Sequence, residues 1–113
     1  MENIFATTKA NGGATFTAHG DLVLSGYCVA GVAPAVRLPL ANFTAEALAQ
    51  AVASFKHNGT FGTWIEDSEV WIEPSEVYTD HAQAFQIATA RGEIAYFDLD
   101  NMEEIRLDLA TAA

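Results

Sequence analysis

The chain has few basic residues. Its 113 residues include five Lys or Arg against fifteen Asp or Glu, for a net charge of −10. Non-specific binding to nucleic acid and binding to anionic membranes both depend on cations, so the charge argues against both. It allows a protein partner with a basic surface, a basic oligomer interface or a metal cation. The simpler alternative is that the acids are solvated faces that keep the protein soluble.

Cysteine is also scarce. The single cysteine, Cys28, cannot form an intramolecular disulfide, so a disulfide-stapled secreted fold is not indicated. It lies in a short apolar run and is predicted to be a small buried hydrophobe. A cysteine nucleophile needs a neighbouring base, and no histidine is close to Cys28 in sequence.

Long apolar runs are missing. No stretch approaches the roughly 18 apolar residues of a membrane span. Residues 1–5 show no basic region followed by an apolar segment, so no signal peptide is expected. The expected location is the cytosol.

Residues for catalysis or cofactor binding form no group with a known spacing. The glycines at positions 12 and 13 lack the lysine and the following helix of a phosphate-binding loop. The three histidines are scattered along the chain. We therefore predict no enzyme, no catalytic residue, no cofactor and no metal site. Four acids between Asp98 and Glu104 surround a turn without EF-hand spacing, and their binding of a cation stays an open question.

The apolar content is sufficient for one folded domain. Half of the residues are apolar, so residues 1–113 are expected to form a single domain, with residues 1–12 and 110–113 as frayed ends. The pattern predicts an α+β fold, with a mainly antiparallel sheet of about six to seven strands and two helices packed on one face.

The predicted elements alternate between strands and two helices. Threonine 44 and aspartate 80 are the expected N-caps, and glycines 59 and 92 follow the expected helix ends. Prolines 34 and 39 flank a short strand, which favours a sheet edge. The predicted elements are a hairpin over 14–30, a strand over 35–40, a helix over 45–58, a hairpin over 61–73, an extended connection over 74–79, a helix over 80–91, and strands over 93–99 and 104–109.

The 61–73 hairpin is the most distinctive stretch. A two-residue turn at Asp67–Ser68 would place Trp64 opposite Trp71, whereas a slip of one residue would exchange the two faces. With that turn, one face carries Ile65, Val70 and Ile72. The other face carries the candidate binding residues, which are Trp64, Trp71, Glu66, Glu69 and Glu73. Burying three carboxylates without cations is costly, so this second face is expected to point outward.

An exposed aromatic pair ringed by acids has the composition of a protein-binding hot spot. The leading hypothesis is a non-enzymatic protein-binding module. One alternative is a small-ligand or carbohydrate-binding domain in which Trp64 and Trp71 stack on the ligand. Another is a structural homodimer. A concave pocket beside the tryptophans would favour a ligand, and a flat face would favour a protein.

One set of hydrophobic and turn positions spans residues 61–109: Gly62-Thr63-Trp64, Glu73-Pro74-Ser75, the alanines at 84 and 88, Ile94 to Leu99, and Glu104 to Leu107. In this pattern the second half of the chain resembles small accessory proteins of actinobacteria and their phages. That family has no settled activity, so it carries over no site. It implies a phage or mobile-element protein in the host cytosol, where small acidic proteins often inhibit a host defence or nucleic-acid protein by occupying its basic surface.

Overall fold

The computed structural model describes residues 1–107 as three α-helices and a seven-stranded antiparallel sheet. The predicted α+β class with a mainly antiparallel sheet is confirmed. The expected tail at 110–113 and the end of the last predicted strand lie outside the described residues. The elements are α1 (Glu2–Asn11), β1 (Gly13–Thr17), β2 (Tyr27–Val29), β3 (Val36–Pro39), a 3-10 turn (Leu40–Asn42), α2 (Ala45–Ser54), β4 (Thr60–Glu66), β5 (Glu69–Tyr78), α3 (His81–Ala90), β6 (Ala95–Asp98) and β7 (Glu103–Arg106).

Strand β5 organises the sheet, whose order is β1-β4-β5-β2-β6-β7 with β3 also on β5. One side of β5 pairs with β4 along its length. The other side pairs with β3 at residues 69–72 and with β2 at residues 76–78. The predicted connection over 74–79 is therefore wrong, because β5 continues through Pro74. A proline is tolerated there because it falls between β3 and β2, where a second ladder is absent.

The β4–β5 hairpin has the predicted register. Trp64 lies opposite Trp71, and Glu66 lies opposite Glu69. Asp67 and Ser68 form the turn with φ values of 51° and 63°. Two successive positive φ angles are those of a type I′ turn, whose twist matches that of the flanking strands.

All three helices pack on one face of the sheet. Ile72 of β5 and Phe16 of β1 are fully buried in a core with α1 and α2. A second core packs Val29 of β2 against Ala84 and Ala88 of α3. The alternate side chains of each strand point to the opposite face, which none of these three helices covers. We call that opposite face the open face.

Helix α1 is absent from the sequence prediction, which expected a frayed end over residues 1–12. Ile4 and Thr8 are its buried residues and are both fully inaccessible. The Thr8 hydroxyl lies 2.6 Å from that of Thr63 on β4 and also donates to the Ile4 carbonyl. Gly12 ends the helix in the left-handed conformation. One buried apolar residue in three turns is too weak a stripe for periodicity to detect.

The predicted hairpin over 14–30 is also corrected. Strand β1 forms, but it pairs with β4, and a single bridge joins Phe16 to Leu22. Residues 18–26 form a loop instead of a returning strand; we call it the 18–26 loop. Its end is held by Asp100, which accepts hydrogen bonds from Ser25 Oγ and Gly26 N at 3.0 Å each.

The other predicted elements form with small shifts. Thr44 caps α2 through a 3.0 Å bond from Ala47 N, although α2 ends at Ser54, before the predicted stop. Asp80 caps α3 through a 2.9 Å bond from Ala82 N. Strand β3 is an edge strand that ends at a proline, as predicted.

Candidate functional site

The open face carries a cavity of about 480 Å³. This volume falls within the roughly 300–1,000 Å³ of small-molecule sites. Strand alternation brings side chains from β1, β4, β5, β2 and β6 to one surface, because neighbouring strands keep their residues in register. Each of these strands contributes to the lining, for example through Thr15, Trp64, Glu73, Cys28 and Phe97 in that order.

The 18–26 loop makes the open face concave. Its residues 22–24 are all apolar and line one side of the cavity. Leu24 is 68% exposed, so the loop offers apolar surface next to the cavity. Met102, in the turn between β6 and β7, contributes a further exposed apolar side chain to the lining. Apolar walls with a few polar groups are typical of ligand pockets.

Glu73 is the most perturbed carboxyl of the cavity. Burial raises the pKa of Glu73 to about 7, and the negative charge of Glu93 adds to the effect. Within residues 1–107, the Glu73 carboxylate forms neither a hydrogen bond nor an ion pair. A half-buried carboxylate without a cationic partner retains an unfavourable charge near neutral pH.

Two further carboxylates line the cavity, and each has a basic neighbour. Glu104 accepts from Arg106 Nη1 at 3.3 Å. Burial raises the pKa of Glu93, while the positive charge of Arg91 acts in the opposite direction. Arg91 itself pairs with Glu76 and donates to the Ala30 carbonyl at 3.1 Å. Among the described residues that line the cavity there is no Lys, Arg or His.

Cys28 lies in the cavity lining as a buried thiol, as the sequence predicted. Burial raises the pKa of Cys28, and the neighbouring Ser75 and Thr15 hydroxyls offset this only in part. The Ser75 hydroxyl shares a 2.9 Å hydrogen bond with Thr60. A protonated thiol beside hydroxyls and a carboxyl lacks the features that activate a cysteine nucleophile.

The two predicted tryptophans have different surroundings. Trp64 is 42% exposed, lines the cavity and donates from Nε1 to Glu66 at 3.3 Å. Trp71 lies under the guanidinium of Arg37, which is 4.3 Å from the ring centroid. Arg37 also pairs with Glu69 at 2.6 Å. Trp71 thus has a cover within its own chain, which the sequence analysis did not foresee.

The five candidate residues lie on the open face, but they divide into three groups. Trp64 and Glu73 line the cavity. Trp71 and Glu69 are engaged by Arg37 from β3. Glu66 lies exposed at the tip of the hairpin. The five predicted binding residues thus share one face of the sheet and lie in three places on it: the cavity, the partly exposed Arg37 cluster and the hairpin tip.

Sequence reasoning missed the part of the site that comes from distant strands. Cys28 and Phe97 lie opposite each other in the β2–β6 pair, and Cys28 also lies opposite Val77 of β5. The alternation inside each strand was visible, but the pairing of β2 with β5 and β6 was not. The apolar run at residues 22–24 predicts a strand, but the structure places it in a loop, and Gly26 is the sequence signal for the bend that ends this loop.

Three of the four carboxylates between residues 98 and 104 accept hydrogen bonds from protein donors, namely those of Asp98, Asp100 and Glu104. Asp98 accepts from Asn101 Nδ2 at 2.8 Å, and these hydrogen bonds hold the pKa of Asp98 below its usual value. Asp100 holds the 18–26 loop. Residues 1–107 contain no group of three or more His, Cys, Asp or Glu arranged for a metal ion.

Comparison with known proteins adds no relative. No protein-family model, curated protein or solved structure matches the chain. The resemblance to actinobacterial and phage accessory proteins thus stays a prediction. Among the described residues, no helix has the length and apolar character needed to cross a membrane.

Proposed function

We propose that the protein is a small-molecule-binding module whose ligand occupies the open-face cavity. The observation that carries this proposal is the concave space of about 480 Å³ beside Trp64, with a mainly apolar surface that also presents three carboxylates. A concave pocket beside a tryptophan favours a small ligand, whereas a flat face would favour a protein partner.

Trp64 and the 18–26 loop supply the binding energy in this proposal. An aromatic ring placed against Trp64 gains a stacking contact in addition to the burial of apolar area. Each Å² of apolar surface removed from water contributes roughly 25 cal/mol before the cost of immobilising the ligand. Carboxyl and hydroxyl groups on the strands then fix the orientation of the ligand.

A fragment panel followed by two-dimensional amide NMR tests this function. Fragments that bind are expected to shift the amides of β2, β5, β6 and the 18–26 loop together. Ala95→Leu fills the cavity from β6 and should remove the shifts, whereas Ala82→Leu on the exposed face of α3 should leave them unchanged. A panel that produces no cavity shifts, or shifts that survive Ala95→Leu, contradicts the proposal.

The second candidate is the protein-binding module, which here would use the hairpin tip. It is favoured by the 42% exposure of Trp64 next to the exposed Glu66 and Asp67, and by the net charge of −10. A basic surface, such as that of a host defence or nucleic-acid protein, would be the complementary partner, with binding that weakens at high salt.

The Glu66→Gln, Asp67→Asn double variant separates the two candidates, because neither residue lines the cavity and a glutamine at position 66 keeps an oxygen acceptor for the Trp64 indole. Capture of a basic partner by the tip should weaken markedly in this double variant while fragment binding persists. Capture that is unchanged in the double variant rules out the tip as the contact. Light scattering of the purified chain identifies a homodimer. If cavity ligands do not dissociate that dimer, self-association does not use the cavity and is independent of ligand binding.

A further inference from the structure

We infer that the ligand of the open-face cavity is an organic cation, namely a protonated amine attached to an aromatic or apolar body. This inference rests on the small-molecule-binding function proposed above and assigns its ligand class. It is carried by the charges of the lining, the geometry of Glu73 and Trp64, and the space between them.

The lining is charged with one sign only. Three carboxylates line the cavity, those of Glu73, Glu93 and Glu104, and no described lining residue is basic. Glu104 has Arg106 and Glu93 has Arg91 nearby, whereas Glu73 has no cationic partner. An anionic ligand would bring a like charge into a partly desolvated site, and a cationic ligand would supply the missing counter-charge.

The geometry leaves room for that charge. Glu73 lies opposite Gly62 in the β4–β5 pair, and Trp64 lies two residues beyond Gly62 on the same face. Gly62 has no side chain, and an added Cβ there would meet only the Ala14 carbonyl oxygen, at 3.9 Å. An ammonium group above Gly62 is therefore flanked by a carboxylate and an indole, the two groups that recognise organic cations.

The protonation state of Glu73 makes binding pH-dependent. The Glu73 pKa of about 7 means that the carboxylate is mostly protonated at pH 6 and mostly ionised at pH 8. A cation binds the ionised form, so its apparent affinity should rise about tenfold between these pH values. A neutral ligand of the same shape should show no such rise.

The other titratable groups that line the cavity are Glu93, Glu104, Cys28 and Tyr96. Burial raises the pKa of both Cys28 and Tyr96, so these groups stay neutral over this range. Burial also raises the pKa of Glu93, which makes Glu93 the other carboxyl that can contribute to the pH dependence. The Glu93→Gln variant separates its contribution from that of Glu73.

Three probes of matched shape test the ligand class: 2-phenylethylamine, 2-phenylethanol and phenylacetate. At pH 8, the amine should bind at least about tenfold more tightly than the alcohol, and phenylacetate should bind most weakly. Glu73→Gln should remove the preference for the amine while leaving alcohol binding intact. Glu66→Gln, outside the cavity, serves as the matched control and should keep the preference.

The outcomes distinguish this inference from the function on which it rests. If cavity ligands are found but amines bind no better than their neutral analogues, the cation assignment is wrong and the small-molecule function stands. An amine preference that survives Glu73→Gln also overturns the assignment. If neither these probes nor the fragment panel shifts cavity amides, both the assignment and the proposed function fail.

Discussion

Glu73 is a half-buried carboxyl whose ionised form opposes folding. In the folded protein, burial raises the pKa of Glu73 to about 7 from an ordinary value of 4.5. At pH values between these two pKa values, Glu73 is mostly protonated in the folded chain and mostly ionised in the unfolded chain. Stability contributed by the protonated Glu73 is therefore fully present below about pH 4.5 and is lost as the pH rises through 7.

Glu73→Gln should consequently stabilise the protein, and the gain should grow between pH 4.5 and 7 and then level off. A shift of this size corresponds to about 3 kcal/mol, and allowing for the partial exposure of the side chain leaves about 1–2 kcal/mol. Urea unfolding at pH 4.5 and pH 8 measures the difference. Glu66→Gln at the exposed tip should change stability little at both values. A Glu73→Gln gain that is equal at both pH values contradicts the account.

Arg37 is the second residue that decides the character of the open face. Arg37→Ala removes the cover of Trp71 and the partner of Glu69, and it should cost about 1 kcal/mol. Tryptophan fluorescence should shift to the red as Trp71 becomes hydrated, while fragment binding should persist because neither Arg37 nor Trp71 lines the cavity. An unchanged emission maximum would mean that Arg37 does not shield the ring.

At the scale of the elements, turns, caps and alternation within a segment predicted most helices and strands. The pairing of strands far apart in sequence was not predicted. The β4–β5 hairpin followed from its turn and alternation, and α2 from Thr44 and its apolar spacing. Helix α1 was missed because Ile4 is its one fully buried apolar residue. The cavity was missed because Cys28 and Phe97 meet only through the pairing of strands far apart in sequence.

Helix α1 is an integral part of the folded core. Ile4→Ala should cost about 2–4 kcal/mol, because the residue is fully buried in the core with α2 and the sheet. Lys9→Ala on the exposed side of the same helix is the matched control and should have a small effect. Denaturant unfolding measures both. A loss below about 1 kcal/mol for Ile4→Ala would indicate a frayed helix.

The 18–26 loop depends on Gly26 for its approach to β5. Gly26 has φ +99°, and an added Cβ would lie 2.7 Å from Val77 Cγ1 and 3.0 Å from the Tyr78 carbonyl oxygen. Gly92 has φ +70° with no neighbour within 4 Å, so it isolates the cost of the backbone conformation. Gly26→Ala should therefore destabilise the fold by about 1–3 kcal/mol and more than Gly92→Ala. Equal losses would show that the loop does not press against β5.

At the scale of the whole molecule, the arrangement is a sheet with helices on one face and an acidic, partly apolar cavity on the other. The net charge of −10 makes the molecule as a whole attractive to cations. The cavity concentrates negative charge around Glu73, where no described cation offsets it. A positively charged ligand is therefore attracted by the negative charge of the whole molecule. In the cavity, Glu73 then supplies its counter-charge.

A crystal structure of the protein with 2-phenylethylamine would show directly where an organic cation binds. We expect the amine in the open-face cavity, with its nitrogen about 2.8 Å from a Glu73 carboxylate oxygen and its ring against Trp64. An amine bound at the hairpin tip or elsewhere, or an empty cavity at an amine concentration well above its solution Kd, would contradict this expectation.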